Sequence, residues 1–284
     1  MTTVADLTTL RPGEIGDTVQ YSHTPDACVE NAALKPAFFE WLCRIGDTTL
    51  ILGHRLSEWC GHGPALEEEI ALTNVALDLI GHAQLWLHLA GEVEAKGRSA
   101  NDLAYLRDAL KYRNALLAEL PNVDMAVTTM RQFLFDVFHD ELLRHLQDSA
   151  SPRVAEIAAK AEKEVAYHVR RSADLVVRLG DGSEESHRRM EAALERLWPY
   201  TGDLFLCDAV DDAMAAAKIA PRADSLRPAW LAHVNSVLDE ATLPRPEGDG
   251  GVHKGGKTGK HTEHLGYVLA DMQFLRRAYP DARW

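Results

Sequence analysis

The chain has 284 residues, 46% of them hydrophobic, with 43 acidic against 30 basic side chains and a formal net charge of -13 at pH 7. That is enough apolar material to fill a core without disulfides or a structural metal, which excludes global disorder. The acidic balance excludes a general nucleic-acid binder, because neutralising phosphates requires a clustered basic face.

Residues 1–36, rich in Thr, Gly, Pro and Asp, show no sustained period and predict a mobile extension. Residues 37–284 read as a single helical domain, since apolar residues recur at helical spacing and almost no stretch alternates as a strand would. A first helix is expected from Ala37 to Cys60, stopped by Gly61-His62-Gly63-Pro64. A second starts near Pro64, with Glu67, Glu68 and Glu69 in its first turn, and ends between Glu92 and Arg98. It contains the longest apolar stretch, Ile70 to Ala90, but Thr73, Asn74, Asp78, His82, Gln84 and His88 make burial in protein a better fate for it than lipid.

A shorter helix is expected over Asn101–Leu120 and a long one over Asp124–Asp148. Ser151 as N-cap and Pro152 at the first position open another, whose apolar stripe runs from Val154 to Leu179 and stops at Gly180-Asp181-Gly182. A long segment from Ser183 to Lys218, a helix over Ser225–Ala241, a Pro/Gly/Lys loop over Pro244–Lys260 and a last helix over Thr262–Ala278 complete the chain. Four long helices with peripheral additions predict an all-α, up-and-down four-helix bundle. No signal peptide is visible, and Cys28, Cys43, Cys60 and Cys207 form no CxxC pair, so a cytoplasmic location is expected.

No GxGxxG or GxSxG motif occurs, and Gly251 to Thr258, which fits the letters GxxxxGK[ST] of a P-loop, has no strand before it, so nucleotide hydrolysis is disfavoured. The site that such bundles do build is a carboxylate-bridged di-iron centre, with a Glu on each of two helices and Glu-x-x-His on each of the other two. The strict Glu-x-x-His occurs only at Glu184 to His187, in a first helical turn unsuited to a buried ligand. Where the quartet should fall, the companions are wrong. Glu58 is a lone carboxylate; Asp78 has Gly81 in the histidine position and His82 one residue late; Asp136 is followed by His139; Glu164 has Tyr167 in the ligand position and His168 one residue late. One residue is about 100° of helix, and Gly81 has no side chain with which to ligate. The reading that follows is no metal in this chain. Asp78, Asp136, His139, Glu164 and His168 are expected to satisfy one another as a buried hydrogen-bonded network. The alternative is a di-iron oxygenase or iron-binding protein using Asp78, His82, Asp136, His139, Glu164 and His168 as a non-standard ligand set.

The wording of the sequence adds a resemblance. Arg55 to His62, Leu77 to Gly81, Glu164 to His168, Gly255 to Gly266, Leu197-Trp198 and Met272 to Leu275 resemble the PaaC-type subunit family of bacterial phenylacetyl-CoA epoxidase, over residues from about 41 to 284. The resemblance implies a ferritin-like bundle that acts as the non-catalytic structural subunit in aerobic phenylacetate breakdown. It also implies a catalytic di-iron subunit as partner, with further small and reductase components; that partner epoxidises the aromatic ring with O2 and electrons from NADPH. No nucleic-acid or membrane partner is implied. A broad apolar interface is expected, with Trp59, Trp86, Phe133, Phe135 and Phe138 as candidate anchors. The loop carrying Lys254, Lys257, Lys260 and His261 is the strongest local positive feature, and it is a candidate for contact with a CoA phosphate or an acidic partner surface.

Overall fold

A computed structural model describes residues 22–282. In chain order the helices are α1 (Ala27–Glu30), α2 (Lys35–Glu58), α3 (Leu66–Glu94), α4 (Ala100–Tyr105), α5 (Leu116–Glu119), α6 (Met125–Leu146), α7 (Pro152–Gly180), α8 (Glu184–Leu197), α9 (Ala209–Ala216), α10 (Ala223–Glu240) and α11 (Glu263–Ala278). No strand occurs among the described residues. The four long helices α2, α3, α6 and α7 form the up-and-down bundle, with α8 and α10 against α6 and with α9 and α11 against α2. This is the expected all-α, ferritin-like architecture.

Helix α2 lies antiparallel on α3 because two glycines let the backbones close. A Cβ on Gly46 would come within 2.8 Å of Leu87, and one on Gly53 within 2.9 Å of Ile80 and 3.2 Å of the Ala76 carbonyl. Helix α6 is covered on almost every side, from Ala126 to Leu146, and so carries no single apolar stripe. Helix α7 is its opposite: Val154, Ile157, Ala158, Ala161, Val165, Val169, Leu175 and Val176, with Arg153, His168 and Ser172 among them, form one buried face and the other faces outward. The Ser151 cap accepts from the Val154 N–H with Pro152 next to it, as the sequence predicts. The apolar helix α3 is long and apolar enough to cross a membrane, but half of that window is buried against the rest of the fold.

Three expectations change. The predicted 101–120 helix is three short pieces: α4, a 3-10 turn at Ala109–Lys111, and α5. Side chains of α2 take over the hydrogen bonds that a continuous helix would make internally. The Asp47 carboxylate accepts from the Arg107 guanidinium (3.0 Å) and from the Arg113 N–H (2.9 Å), and Thr48 Oγ1 accepts from the Ala115 N–H (3.0 Å). The predicted 183–218 segment breaks after Leu197, where Pro199 turns the chain into a 3-10 stretch over Trp198–Phe205, and Asp208 caps the separate helix α9. The body also begins before residue 37. Thr24 Oγ1 donates to Glu156 (2.7 Å), and Asp26 caps α1 while accepting from Ser151 Oγ at the start of α7. Residues 1–21 of the predicted extension lie outside the described residues.

Substituting Gly53→Val forces a branched side chain into the α2–α3 contact. It should cost about 2 kcal/mol, read as a lower midpoint in urea unfolding with an unchanged slope.

Candidate functional site

The antiparallel register of α3 and α7 brings four pairs of polar side chains together along one seam. Arg171 Nη2 meets Glu68 (2.5 Å), His168 Nε2 meets Asp78 (2.9 Å), His82 Nε2 meets Glu164 (2.6 Å), and Arg153 Nη1 meets Glu92 (2.8 Å). Each carboxylate is therefore bound across the seam, to the other helix. The imidazoles are enclosed, whereas the carboxylates of Asp78 and Glu164 remain 34% and 37% exposed on the outer side.

The expected single network is thus two crossed carboxylate–imidazole pairs, with Asp136 and His139 apart from them. Asp136 is fully enclosed on α6 and accepts from Gln132 Nε2 (2.5 Å) and Ser172 Oγ (2.9 Å). Burial pushes its carboxyl up to about 6, against the opposing pull of His168, Ser172 and Gln132. His139 makes no hydrogen bond: both ring nitrogens are buried and unpartnered, with the Phe135 ring at 5.1 Å and the His82 ring at 5.8 Å. Desolvation, reinforced by His82 and His168, holds His139 well below the ordinary histidine range, so its ring is neutral.

Glu58 stands elsewhere. It ends α2 and binds Arg55 Nη1 at 2.7 Å. The neighbouring Arg131, on α6, is wholly buried and holds the Leu120 carbonyl and Asn122 Oδ1 (2.6 Å); burial, with Arg55 adding to it and Glu58 opposing, pulls its guanidinium down to about 9. Gly81 offers nothing within 4 Å of where a Cβ would point, and Tyr167 is 45% exposed. His187, of the lone Glu-x-x-His, is a helix-end residue bonded through Nδ1 to the Gly180 carbonyl (2.7 Å).

These donors do not fit a di-iron centre. Such a centre needs four carboxylates and two imidazoles converging on two adjacent ions. Here Glu58 is turned to an arginine and Asp136 to an amide and a hydroxyl, while Asp78 and Glu164 are held by the very imidazoles that would have to ligate. Among the described residues no three His, Cys, Asp or Glu side chains gather as a ligand set.

The 254–261 loop is built into the fold rather than solvated. Lys257 Nζ donates to the Leu204 and Leu206 carbonyls (2.9 Å each), and burial lowers its pKa. His261 meets Glu119 (3.0 Å) and the Tyr112 carbonyl (3.0 Å). Asp203 accepts from the Gly255 N–H (2.8 Å) and from the Leu116 N–H (2.9 Å), and a Cβ on Gly256 would run into the Asn114 carbonyl. Of the four named residues, only Lys254 and Lys260 are exposed. The aromatic anchors also move inward: Trp86, Phe133, Phe135 and Phe138 are core, and Trp59 is half-buried. Exposed large apolar residues lie on α11 and beside it, at Tyr267, Phe274, Leu275 and Tyr279 with Leu106 and Leu110, and also on α3 at Leu66, Ile70 and Leu77 with Tyr167 of α7. Sequence reading missed Arg131 and Gln132, although both interrupt the apolar run of α6 and Gln132 sits one turn before Asp136.

An all-helical, ferritin-like bundle with crossed acid–histidine pairs along one seam defines the class of protein. The chain belongs to the phenylacetic acid catabolic protein family, whose model matches residues 21–284. That match starts some twenty residues before the sequence resemblance does. Among curated proteins, the C-subunit of the 1,2-phenylacetyl-CoA epoxidase of Escherichia coli (strain K12) is 43% identical over 241 residues, covering 85% of this chain and 96% of the relative.

Asp136 gives a pH test. Its folded pKa of about 6 exceeds the ordinary 3.8, so the folded state binds the extra proton and stability falls as pH rises from about 4 through 6. Asp136→Asn removes that penalty. It should gain on the order of 2–3 kcal/mol over the parent at pH 7.5 and nothing at pH 3.5, measured by urea unfolding.

Proposed function

We propose that this chain is the non-catalytic structural subunit of a multicomponent phenylacetyl-CoA ring 1,2-epoxidase, supporting a separate di-iron catalytic subunit in aerobic phenylacetate degradation. The family and the 43% identity to a known epoxidase component support the pathway and the assembly. The observation that carries the non-catalytic role is the crossed pairing of Asp78 with His168 and of Glu164 with His82. Each pair consumes one acid and one base that a reaction centre would need free. Iron belongs to the partner, and small and reductase components complete the assembly. The free thiols at Cys28, Cys43, Cys60 and Cys207 accord with a cytoplasmic setting.

The catalytic subunit docks on the α11 face. Tyr267, Phe274, Leu275 and Tyr279 are 66%, 63%, 52% and 58% exposed, and Arg276 and Arg277 flank them. Aromatics with arginine are the composition of interface hot spots. The rigid bundle behind α11 holds the partner's helices at fixed spacing, through contacts stronger in the competent state than in the alternative.

Two measurements test this. After anaerobic loading with ferrous iron and gel filtration, the isolated chain should retain essentially no iron; retention of about two ions per chain, the complement of a di-iron bundle, would overturn the reading. The double substitution Tyr267→Asp and Phe274→Asp should abolish co-purification with the catalytic subunit while leaving helical content and melting temperature close to the parent. Undiminished co-purification would exclude the α11 face.

A further inference from the structure

A cavity lies between α2, α6 and the start of α10, and His139 forms part of its wall. Most of the wall is apolar, from Trp41, Ile45, Phe135, Phe138 and Leu142, but Arg44, Thr48, Asp211 and Lys257 also face it. Two features single it out. Both nitrogens of His139 are buried without a partner, and so is Nε of Arg44, whose other nitrogens bind Asp208 and Asp211. The space itself is about 50 Å³.

A neutral imidazole carries one N–H donor and one lone pair, and leaving each buried and unmet incurs the full desolvation cost of that group. His82 and His168 avoid that cost at Nε2 through a carboxylate. His139 has none within reach: Asp136, three residues away on the same helix, is already bonded to Gln132 and Ser172. A cavity of this volume admits about three water centres at roughly 15 Å³ each, and it is too small for an aromatic guest, which needs about 150 Å³. Its polar groups supply the two to four hydrogen bonds that a buried water requires. Lys257 Nζ spends two protons on the Leu204 and Leu206 carbonyls, which leaves a third for the cavity.

We infer that this cavity is a resident water site, in which a small cluster of ordered waters bonds His139 and joins it to Arg44, Asp211 and Lys257. The waters do for His139 what a carboxylate does for Nε2 of the other two histidines: they meet a ring nitrogen and select its tautomer. On its other side His139 packs its ring edge-on against His82 (5.8 Å between centroids), which in turn binds Glu164 on the outer seam of α3 and α7.

The test is a crystal structure of the full chain, recorded before and after pressurisation with xenon. The expected result is ordered water within hydrogen-bonding distance of a His139 ring nitrogen, with no xenon in the cavity. Absence of that water, or xenon in its place, would overturn the inference, because a dry apolar cavity takes up the gas. In solution, the full chain labelled with ¹⁵N at histidine should show magnetisation transfer between water and the His139 N–H, with assignment by His139→Phe or, should that variant not fold, His139→Gln. A ring N–H that shows no contact with water would overturn it equally.

Discussion

The seam between α3 and α7 is the constraint on which the rest of the bundle depends. Apolar stripes alone would let two such long helices slide by a turn with little loss, because leucine, valine and alanine pack against many partners. Four oppositely matched pairs, at Glu68–Arg171, Asp78–His168, Glu164–His82 and Glu92–Arg153, remove that freedom. A slip by one turn would strip two enclosed imidazoles and two largely buried guanidiniums of their partners at once, and an uncompensated buried polar group costs more than its pairing yields. With α3 fixed on α7, the glycine notches of α2 set the third helix and the fully enclosed α6 fills what remains.

Much of this was legible in the sequence because helix periodicity and end signals are local. The Ser151-Pro152 start, the glycine stop after Leu179 and the stripe of α7 were readable directly. What failed was non-local. The 101–120 segment has helical composition, and only the reach of Asp47 and Thr48 from another helix breaks it into short turns. The site was half-legible for the same reason. Counting offsets from Asp78 and Glu164 showed that the imidazoles come one residue late. Knowing that each then swings across to the opposite helix requires the register of α3 on α7, which no single helix encodes. Lys257 shows the same limit: the sequence marks a positive loop, and only the fold shows that the Leu204 and Leu206 carbonyls take its ammonium.

Several polar groups sit in the core at a cost. Asp136 and Arg131 are both wholly enclosed on α6, and neither has a full counter-charge. Their partners are amides, hydroxyls and carbonyls, which satisfy hydrogen bonds without cancelling the desolvation of an ion. Asp136 and the two crossed acid–histidine pairs fix their neighbours by direction. The result is a stiff block with its reactive groups already engaged, suited to presenting a face to another protein.

The 255–262 segment also bears on how the chain is made. Asp203, Glu119 and Tyr112 all await groups from this stretch, and Leu265, Val268 and Leu269 of α11 then close over α2, α4 and α5. A nascent chain emerging from the ribosome can pair α2 with α3 and α6 with α7 early, since domains form from their first-made parts onward. The end of the bundle around Glu119 stays open until residues near 269 have left the tunnel. During that interval unpaired acids and apolar surface are exposed together, and it is then that this protein most needs protection from aggregation.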